Sequence, residues 1–405
     1  MIVIPTRMGR LNMRALLRRL QQMGTASRAD LAKSLGMSQP TAGRIVDQLL
    51  ELGVLEELSE QQATEAVRTG TENGTVRLGR PGRLLRLDST KPRFLTIQVG
   101  ISKTNFAVVP VGFKGEDVWA LQIPTPGSEK KFVQELREVA AKLSQEDFWG
   151  VMVSVPGIVD EPSGRIVFSP NLHWTERVEM PALMQQVWNA PAVLVQEERA
   201  LALGHQFVEP VGEDFMLVDF GEGVGGAVFL EGKLYANPLP ISGELGHTPV
   251  LGNLRACGCG GVGCVETLIS TRGLLQSFAE NSGGENQNTW QALVEYTDKE
   301  GVAPWLALAL DAAAVAIAGA LNVLGLRRVV ITGSVAEMPP VVINRLSSSI
   351  IRGAVWARFG KVECQSAPRR RIAGLVASGI DRLVVSMAEQ NSGPQPMASL
   401  SLPHF

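Results

Sequence analysis

Apolar residues near the start of the chain recur with helical spacing. Leu11, Leu16, Leu17 and Leu20 fall on one stripe, with arginines on the other face, which predicts an amphipathic helix over residues 11–23. Ser27 stands three positions before Asp30, a capping-box-like start for a second helix over 29–35 that Gly36 stops. Ser38 caps a third helix, residues 38–52. Pro40 sits in its first turn, where a missing N–H costs nothing, and Ile45, Val46, Leu49, Leu50 and Leu52 form its buried face up to Gly53. Only Gly36-Met37 separates the second and third helices, so the pattern reads as a helix-turn-helix. Residues 54–58 and 84–87 supply two short strands flanking a polar loop, the form of a wing.

From residue 94 the texture becomes β-rich alternation with helices between. Strands are expected at 94–100, 106–111, 118–123 and 150–155, with a helix over 129–143. The same texture returns at 216–220, 227–230, a long helical region, 329–332 and 362–365. Two successive α/β units imply two lobes with a cleft between them. Residues 305–326 are apolar enough to raise the question of a membrane span. Asp311 and Asn322 interrupt them, however, and Arg327-Arg328 leads straight into a strand pattern, so they are read as a buried core helix with no membrane insertion. The expected organisation is a winged helix-turn-helix (1–76), a wing strand and basic linker (77–92), a first lobe (93–195), a second lobe (196–389) and a Ser- and Pro-rich tail (390–405).

Composition fits this picture: 405 residues, 45% hydrophobic and 19% charged, describe a globular protein of several domains and exclude a disordered or fibrous chain. Net charge adds a direction. Residues 1–92 carry 14 Lys and Arg against 9 Asp and Glu, so the overall charge of −2 conceals a basic head and an acidic body. The opening MIVIPTRMGR lacks the apolar stretch of a secretory signal, and a cytoplasmic location is expected. Arg77, Arg80, Arg83 and Arg86 recur every third residue around Gly79-Arg80-Pro81-Gly82, beside the helix-turn-helix, where a simple solvated charge run is the plain alternative. On the DNA-binding reading, the third helix enters the major groove of a double-stranded operator. Gln39, Thr41 and Arg44 would then face bases or phosphates, Arg28 and Ser38 would contact the backbone, and Arg80 and Arg83 of the linker would reach a narrow minor groove.

His247, Cys257, Cys259 and Cys264 follow an H-x9-C-x-C-x4-C spacing with glycines between the sulfurs. Three thiolates and an imidazole complete a tetrahedral zinc shell, and four protein ligands leave no open position, so one structural zinc per chain is expected. A disulfide or redox role fits less well: three clustered cysteines are odd in number and Cys364 lies a hundred residues away. Glu244 and Glu266 bracket these ligands, and rigidly held carboxylates are a common means of gripping a polyol.

With Glu244-Leu245-Gly246-His247 as E-x-G-H, the CGCGGVGCVE segment and the winged head, the chain resembles the ROK family of repressors and sugar kinases, and within it the NagC/Mlc-type repressors. The resemblance implies an α/β body of actin-like ATPase (ribonuclease H-like) fold, a sugar or sugar-phosphate effector in the cleft, and a homodimer or tetramer. It carries the sugar site onto Pro156, Gly157, Asn171, Glu244, His247 and Glu266. Where family kinases have Asn-Asp-Ala, this chain has Gln196-Glu197, with the register open by one residue; Glu197 would stand at a degenerate base position, and no catalytic residue is expected. Kinases of the family open the body with D-x-G-G-T and carry a G-T-G-x-G phosphate loop. Here those segments read Gln98-Val99-Gly100-Ile101-Ser102 and Gly221-Glu222-Gly223-Val224-Gly225, so a metal anchor is missing and a carboxylate replaces a hydroxyl. The expectation is a repressor of carbohydrate genes controlled by a sugar; the alternative left open is an ATP-dependent sugar kinase fused to a DNA-binding head.

Overall fold

A computed structural model describes residues 5–63, 83–143, 148–209, 212, 214–235, 241–282 and 289–390. They fall in two compact units, one within 1–93, 109–112 and 379–405, the other within 94–108 and 113–378. The first unit contains α1 (Pro5–Met23), β1 (Ala26–Ser27), α2 (Arg28–Leu35), α3 (Gln39–Glu51), β2 (Leu55–Glu57) and β3 (Leu84–Leu87), the strands in the order β1-β3-β2. Its local signals act as the sequence suggests. Asp30 N donates to Ser27 Oγ at 3.2 Å while the Asp30 carboxylate accepts from Ser27 N, and Gly36 ends α2 at φ 62°. Thr41 N donates to Ser38 Oγ at 3.3 Å, which starts α3. Leu16, Leu17, Leu20, Leu31, Leu49 and Leu85 are fully buried, and such a leucine contributes roughly 1.5–3 kcal/mol.

One stretch falls in a different unit from the one expected. Residues 379–389 were expected to close the second lobe, yet Gly379 onward belongs to the first unit, where Arg14 and Arg18 pair with Asp381 at 3.4 and 3.2 Å. Most of the basic linker, Arg77 and Arg80 included, and nearly all of the tail (391–405) lie outside the described residues.

In the second unit the first lobe holds β4 (Pro92–Val99), β5 (Lys103–Pro110), β6 (Leu121–Pro124), α4 (Glu129–Lys142), β7 (Gly150–Val155), β8 (Ile158–Asp160), β9 (Arg165–Phe168), α5 (Met180–Trp188) and β10 (Ala192–Gln196). The second holds α6 (Glu197–Val208), β11 (Phe215–Phe220), β12 (Val224–Leu230), β13 (Lys233–Leu234), α7 (Glu266–Ile269), α8 (Thr271–Ser282), α9 (Trp290–Glu300), α10 (Pro304–Leu324), β14 (Arg328–Gly333), α11 (Pro340–Gly353), β15 (Glu363–Ser366) and α12 (Arg371–Gly379). The main sheets run β6-β5-β4-β7-β10 and β13-β12-β11-β14-β15, so one strand topology is used twice. In each lobe the first, fourth and fifth strands are parallel, and their carboxyl ends are the side of an open α/β sheet where ligands bind. This duplication is the architecture expected of an actin-like body.

The strand expected at 118–123 forms only as β6, leaving Val118 73% exposed. The loop before it serves a distant helix instead. There the Asp117 carboxylate accepts from Arg371 N and Ile372 N at 3.0 and 2.9 Å, capping α12 across 254 residues. The apolar helix α10 also differs from a fully buried one. Leu306, Leu310, Ile317 and Leu321 are buried, whereas Leu308, Val315 and Val323 on the outer side are 61–85% exposed. An Ala- and Val-rich run carries no polar residues to mark its outer face, and the two polar interruptions serve as anchors. Asp311 accepts from Ser349 Oγ at 2.7 Å and pairs with Arg345, and Asn322 bonds the Gly353 carbonyl and the Val355 N–H.

Two glycines set how α6 meets α12. A methyl at Gly204 would fall on the Arg370 carbonyl oxygen, and one at Gly374 on the Ala200 carbonyl oxygen, so the two backbones cross without side chains between them. Gly374→Ala should therefore destabilise the protein by about 1–3 kcal/mol in urea unfolding. Gly319→Ala, in open space on α10, should stabilise it slightly, by up to about 1 kcal/mol. Equal effects of the two substitutions would contradict this account of the crossing.

Candidate functional site: the cleft of the body and the face of the head

Strand ends of both lobes line a cavity of about 420 Å³. Gln98 comes from the end of β4, Pro156 and Gly157 follow β7, Glu197 opens α6 after β10, and Asp219 and Gly221 lie at the end of β11. Of the expected sugar-site residues, Pro156, Gly157, Asn171, Glu197, Glu244, His247 and Glu266 all reach this cavity. Gln196 does not line it. It is the residue before the first turn of α6, 3% exposed, with its N–H donating to Glu161 at 3.1 Å. The alternation of a strand turns Gln196 away, and the start of the helix brings both Glu197 and Glu198 to the cleft.

The charges in the cleft are committed to one another. Arg371 donates to Glu197 and lies 3.6 Å from Asp117. Gln98 donates to Glu197 at 3.0 Å and accepts from Asn105 Nδ2 at 2.7 Å, so its amide is used on both sides. Arg369 grips Asp219 with two bonds, 2.7 and 2.9 Å, and Thr332 Oγ1 adds a third at 2.8 Å. Burial works against the charge of Asp219, but Arg369 outweighs it and holds the carboxyl below its usual range. Burial likewise opposes the charge on Arg371, and Glu197, Asp219 and Asp117 more than offset it. Glu198 is different: burial, then the field of Glu244, push its carboxyl well above the usual range. Glu222 accepts from both the hydroxyl and the N–H of Ser102, a link from the second lobe's glycine turn to the first lobe.

Beside the cleft, the ligand atoms of His247, Cys257, Cys259 and Cys264 all lie within 4.8 Å of one another. Cys259 and Cys264 Sγ are 3.7 Å apart, and Cys257 Sγ is 3.5 Å from His247 Nδ1. A tetrahedral shell with zinc–sulfur lengths near 2.3 Å and zinc–nitrogen lengths near 2.0–2.1 Å puts sulfurs about 3.7 Å apart and sulfur about 3.5 Å from nitrogen. The donor set therefore fits a metal ion. Burial and the neighbouring thiols push Cys264 up to about 12, the cost of gathering thiols that a bound cation reverses. His247 Nε2 faces Glu244 Oε2 at 3.6 Å, and Glu266 accepts from Val224 N at 2.9 Å with its other oxygen 3.8 Å from Cys257 Sγ. Both carboxylates thus join the cluster to the cleft.

On the head, Gln39 and Arg44 are exposed along α3, with Thr41 half-buried between them and its hydroxyl 2.8 Å from that of Ser38. Arg28, expected at a phosphate, lies 2.9 Å from Asp47 and 3.4 Å from Glu57, and Arg83 lies 2.6 Å from Glu57. Acidic residues of the same surface are their nearest partners.

A model of the ROK family matches residues 94–374, most of the chain. The chain belongs to the ROK family. A MarR family model matches residues 14–59, the helices of the head. The xylose repressor of Caldicellulosiruptor bescii is 24% identical over 82% of this chain and 85% of its own length. The crystal structure of a ROK family transcriptional regulator, a homologue of the E. coli MLC protein, superposes with a TM-score of 0.71 at 17% identity, over 94% of this chain and 98% of that one. A ROK family glucokinase from Streptomyces griseus, in complex with glucose and AMPPNP, superposes with a TM-score of 0.56 at 21% identity, over 73% of this chain and 99% of its own.

Within this ROK body, sequence reading missed Asp117, Ser102, Glu198, Arg369 and Arg371. The arginines stand in a Pro-Arg-Arg-Arg run that could have been noticed as a charge cluster. Their partners Asp219 and Asp117 lie 150 and 254 residues away, with no spacing to signal the pairing. Chemically, the cleft offers hydrogen-bond acceptors to a polar ligand, while the groups beside the glycine turn are already engaged.

Proposed function

We propose that this chain is a cytoplasmic, DNA-binding transcriptional repressor of carbohydrate genes whose ROK body senses a sugar and does not phosphorylate it. The observation that carries the reading is the prior engagement of the cleft: Gln98 is bonded on both sides, Glu197 is paired with Arg371, and Glu222 is bonded to Ser102. A nucleotide phosphate would have to approach the Glu222 carboxylate, and like charges about 4 Å apart at an effective dielectric near 20 repel by roughly 4 kcal/mol. The MarR-type head and the similarity to xylose repressors support the DNA-binding half.

In this reading Pro156, Gly157, Asn171, Glu197, Glu244, His247 and Glu266 hold the sugar, which closes the lobes and shifts operator affinity through a difference in binding between the two states. The third helix reads the operator with Gln39, Thr41 and Arg44; Ser38 lies at the backbone, and Arg28, Arg80 and Arg83 supply further positive charge. A two-fold operator calls for a homodimer, and the exposed apolar stripe of α10 with Trp356 and Phe359 offers it a surface. A zinc ion held by His247, Cys257, Cys259 and Cys264 supplies a structural fixed point for the loop that carries Glu244 and Glu266.

The zinc assignment predicts one zinc per chain by elemental analysis and a fall in melting temperature on chelation or in Cys259→Ser. Metal-free protein that keeps its stability and its sugar response would contradict it.

The DNA assignment predicts that Arg44→Ala weakens binding to a selected operator and, where the guanidinium reads a base, relaxes preference at one position per half-site by about 1–3 kcal/mol. Sugar affinity should be unchanged in the same variant. Library binding at fixed salt tests this, and an unaltered operator profile would refute the proposed reading face.

A further inference from the structure

The cleft contains buried hydrogen-bond acceptors that no group among the described residues satisfies. Glu197 and Glu198 open α6 side by side, and the Oε2 of each is buried without a partner; Asn105 Oδ1 is a third such oxygen lining the same cavity. Glu197 is only 7% exposed. All three oxygens accept whenever the two carboxyls are ionised, so a partner that completes them in that state brings donors.

The backbone is shaped around these carboxylates. A methyl at Gly225 would come within 2.7 Å of the Glu198 carboxylate, and one at Gly223 within 3.1 Å of Glu266. The glycines of a turn that resembles a phosphate loop therefore make room for negative side chains.

The balance of charge points the same way. Six carboxylates line the cavity, and its lining cations among the described residues are Lys103, Arg369 and Arg371. Arg369 is spent on Asp219, and Arg371 on Glu197 and Asp117, while Lys103 is exposed. Glu198 feels chiefly Glu244, Glu197 and Asp219, all negative, and burial with that field raises its pKa. A phosphate or sugar acid would add to this repulsion, and a neutral polyol supplies donors without compensating charge. An ammonium supplies three donors, no acceptor and the missing positive charge.

We infer that the effector is a sugar bearing a free, protonated amino group, and that Glu198 is the residue that selects it. The inference rests on the sugar-sensing reading and narrows it to one ligand class. Acylation of the amine would remove the charge and present a carbonyl acceptor to carboxylates, so N-acetyl sugars should be excluded.

Titration calorimetry of the full-length protein at pH 6.5 tests this with glucosamine, galactosamine and mannosamine, each beside its parent neutral sugar and its N-acetyl derivative. Three epimers are needed because the unpaired acceptors specify the amine and not the hydroxyl pattern. For the epimer that fits, the free amine should bind at least about tenfold more tightly than the parent sugar, a modest value for a buried charge pair. Glu198→Gln should abolish that preference. A parent sugar that binds as tightly as its amine in the wild type, or a preference that survives Glu198→Gln, would overturn the inference while leaving sugar sensing intact. If none of these compounds binds, the sugar-sensing reading falls together with it.

Discussion

Burying a guanidinium is unfavourable unless carboxylates surround it, and Arg371 is buried between Glu197 and Asp117 within the field of Asp219. Much of the body follows from meeting that requirement. Asp117 lies outside the sheet, ahead of the short strand β6, and its carboxylate caps the helix that begins at Arg371. Glu197 must stand at the first turn of α6, facing the cleft. The helices that deliver Glu197 and Arg371 must approach until their backbones touch, which Gly204 and Gly374 allow. Removing one partner of such a set leaves a buried charge uncompensated, so the arrangement constrains every element that contributes to it.

The metal-ligand loop imposes a second constraint on the same cleft. Its four donors lie close enough together to hold one cation, and Glu266 joins that loop to the glycine turn through Val224 N. His247 connects in the other direction, offering Nδ1 to the cluster and Nε2 to Glu244. Groups on one side of the cleft are therefore tied to the His/Cys cluster, and those on the other to the Arg371 network. A ligand between them meets preformed acceptors, and its binding can favour one lobe arrangement over another only through contacts that differ between the two.

What was legible in the chain was what local chemistry determines. Ser27, Gly36, Ser38 and Pro40 act within a few residues of where they stand, so the helices of the head are recoverable from spacing. The metal ligands lie within eighteen residues, and their geometry is a property of one loop. Strand β7 is buried along its whole length and reads as one apolar run. Long-range pairing leaves no such trace. Nothing near Asp117 marks it as the cap of a helix 254 residues on, and nothing near Asp381 marks it as the partner of Arg14 and Arg18. The register at Gln196-Glu197 stayed open because a motif read as a string does not record that the strand ends at Gln196 and the helix begins one residue later. The outer face of α10 was hidden because alanine and valine occur both in a core and on an exposed face.

The central claim is that the body recognises a sugar without transferring phosphate to it. The direct measurement takes a sugar that raises the melting temperature of the purified protein, incubates it with the protein, ATP and magnesium, and assays sugar phosphate by mass spectrometry. Binding with no product above the protein-free control is the predicted result. Steady formation of sugar phosphate, lost in Glu197→Ala, would contradict the account.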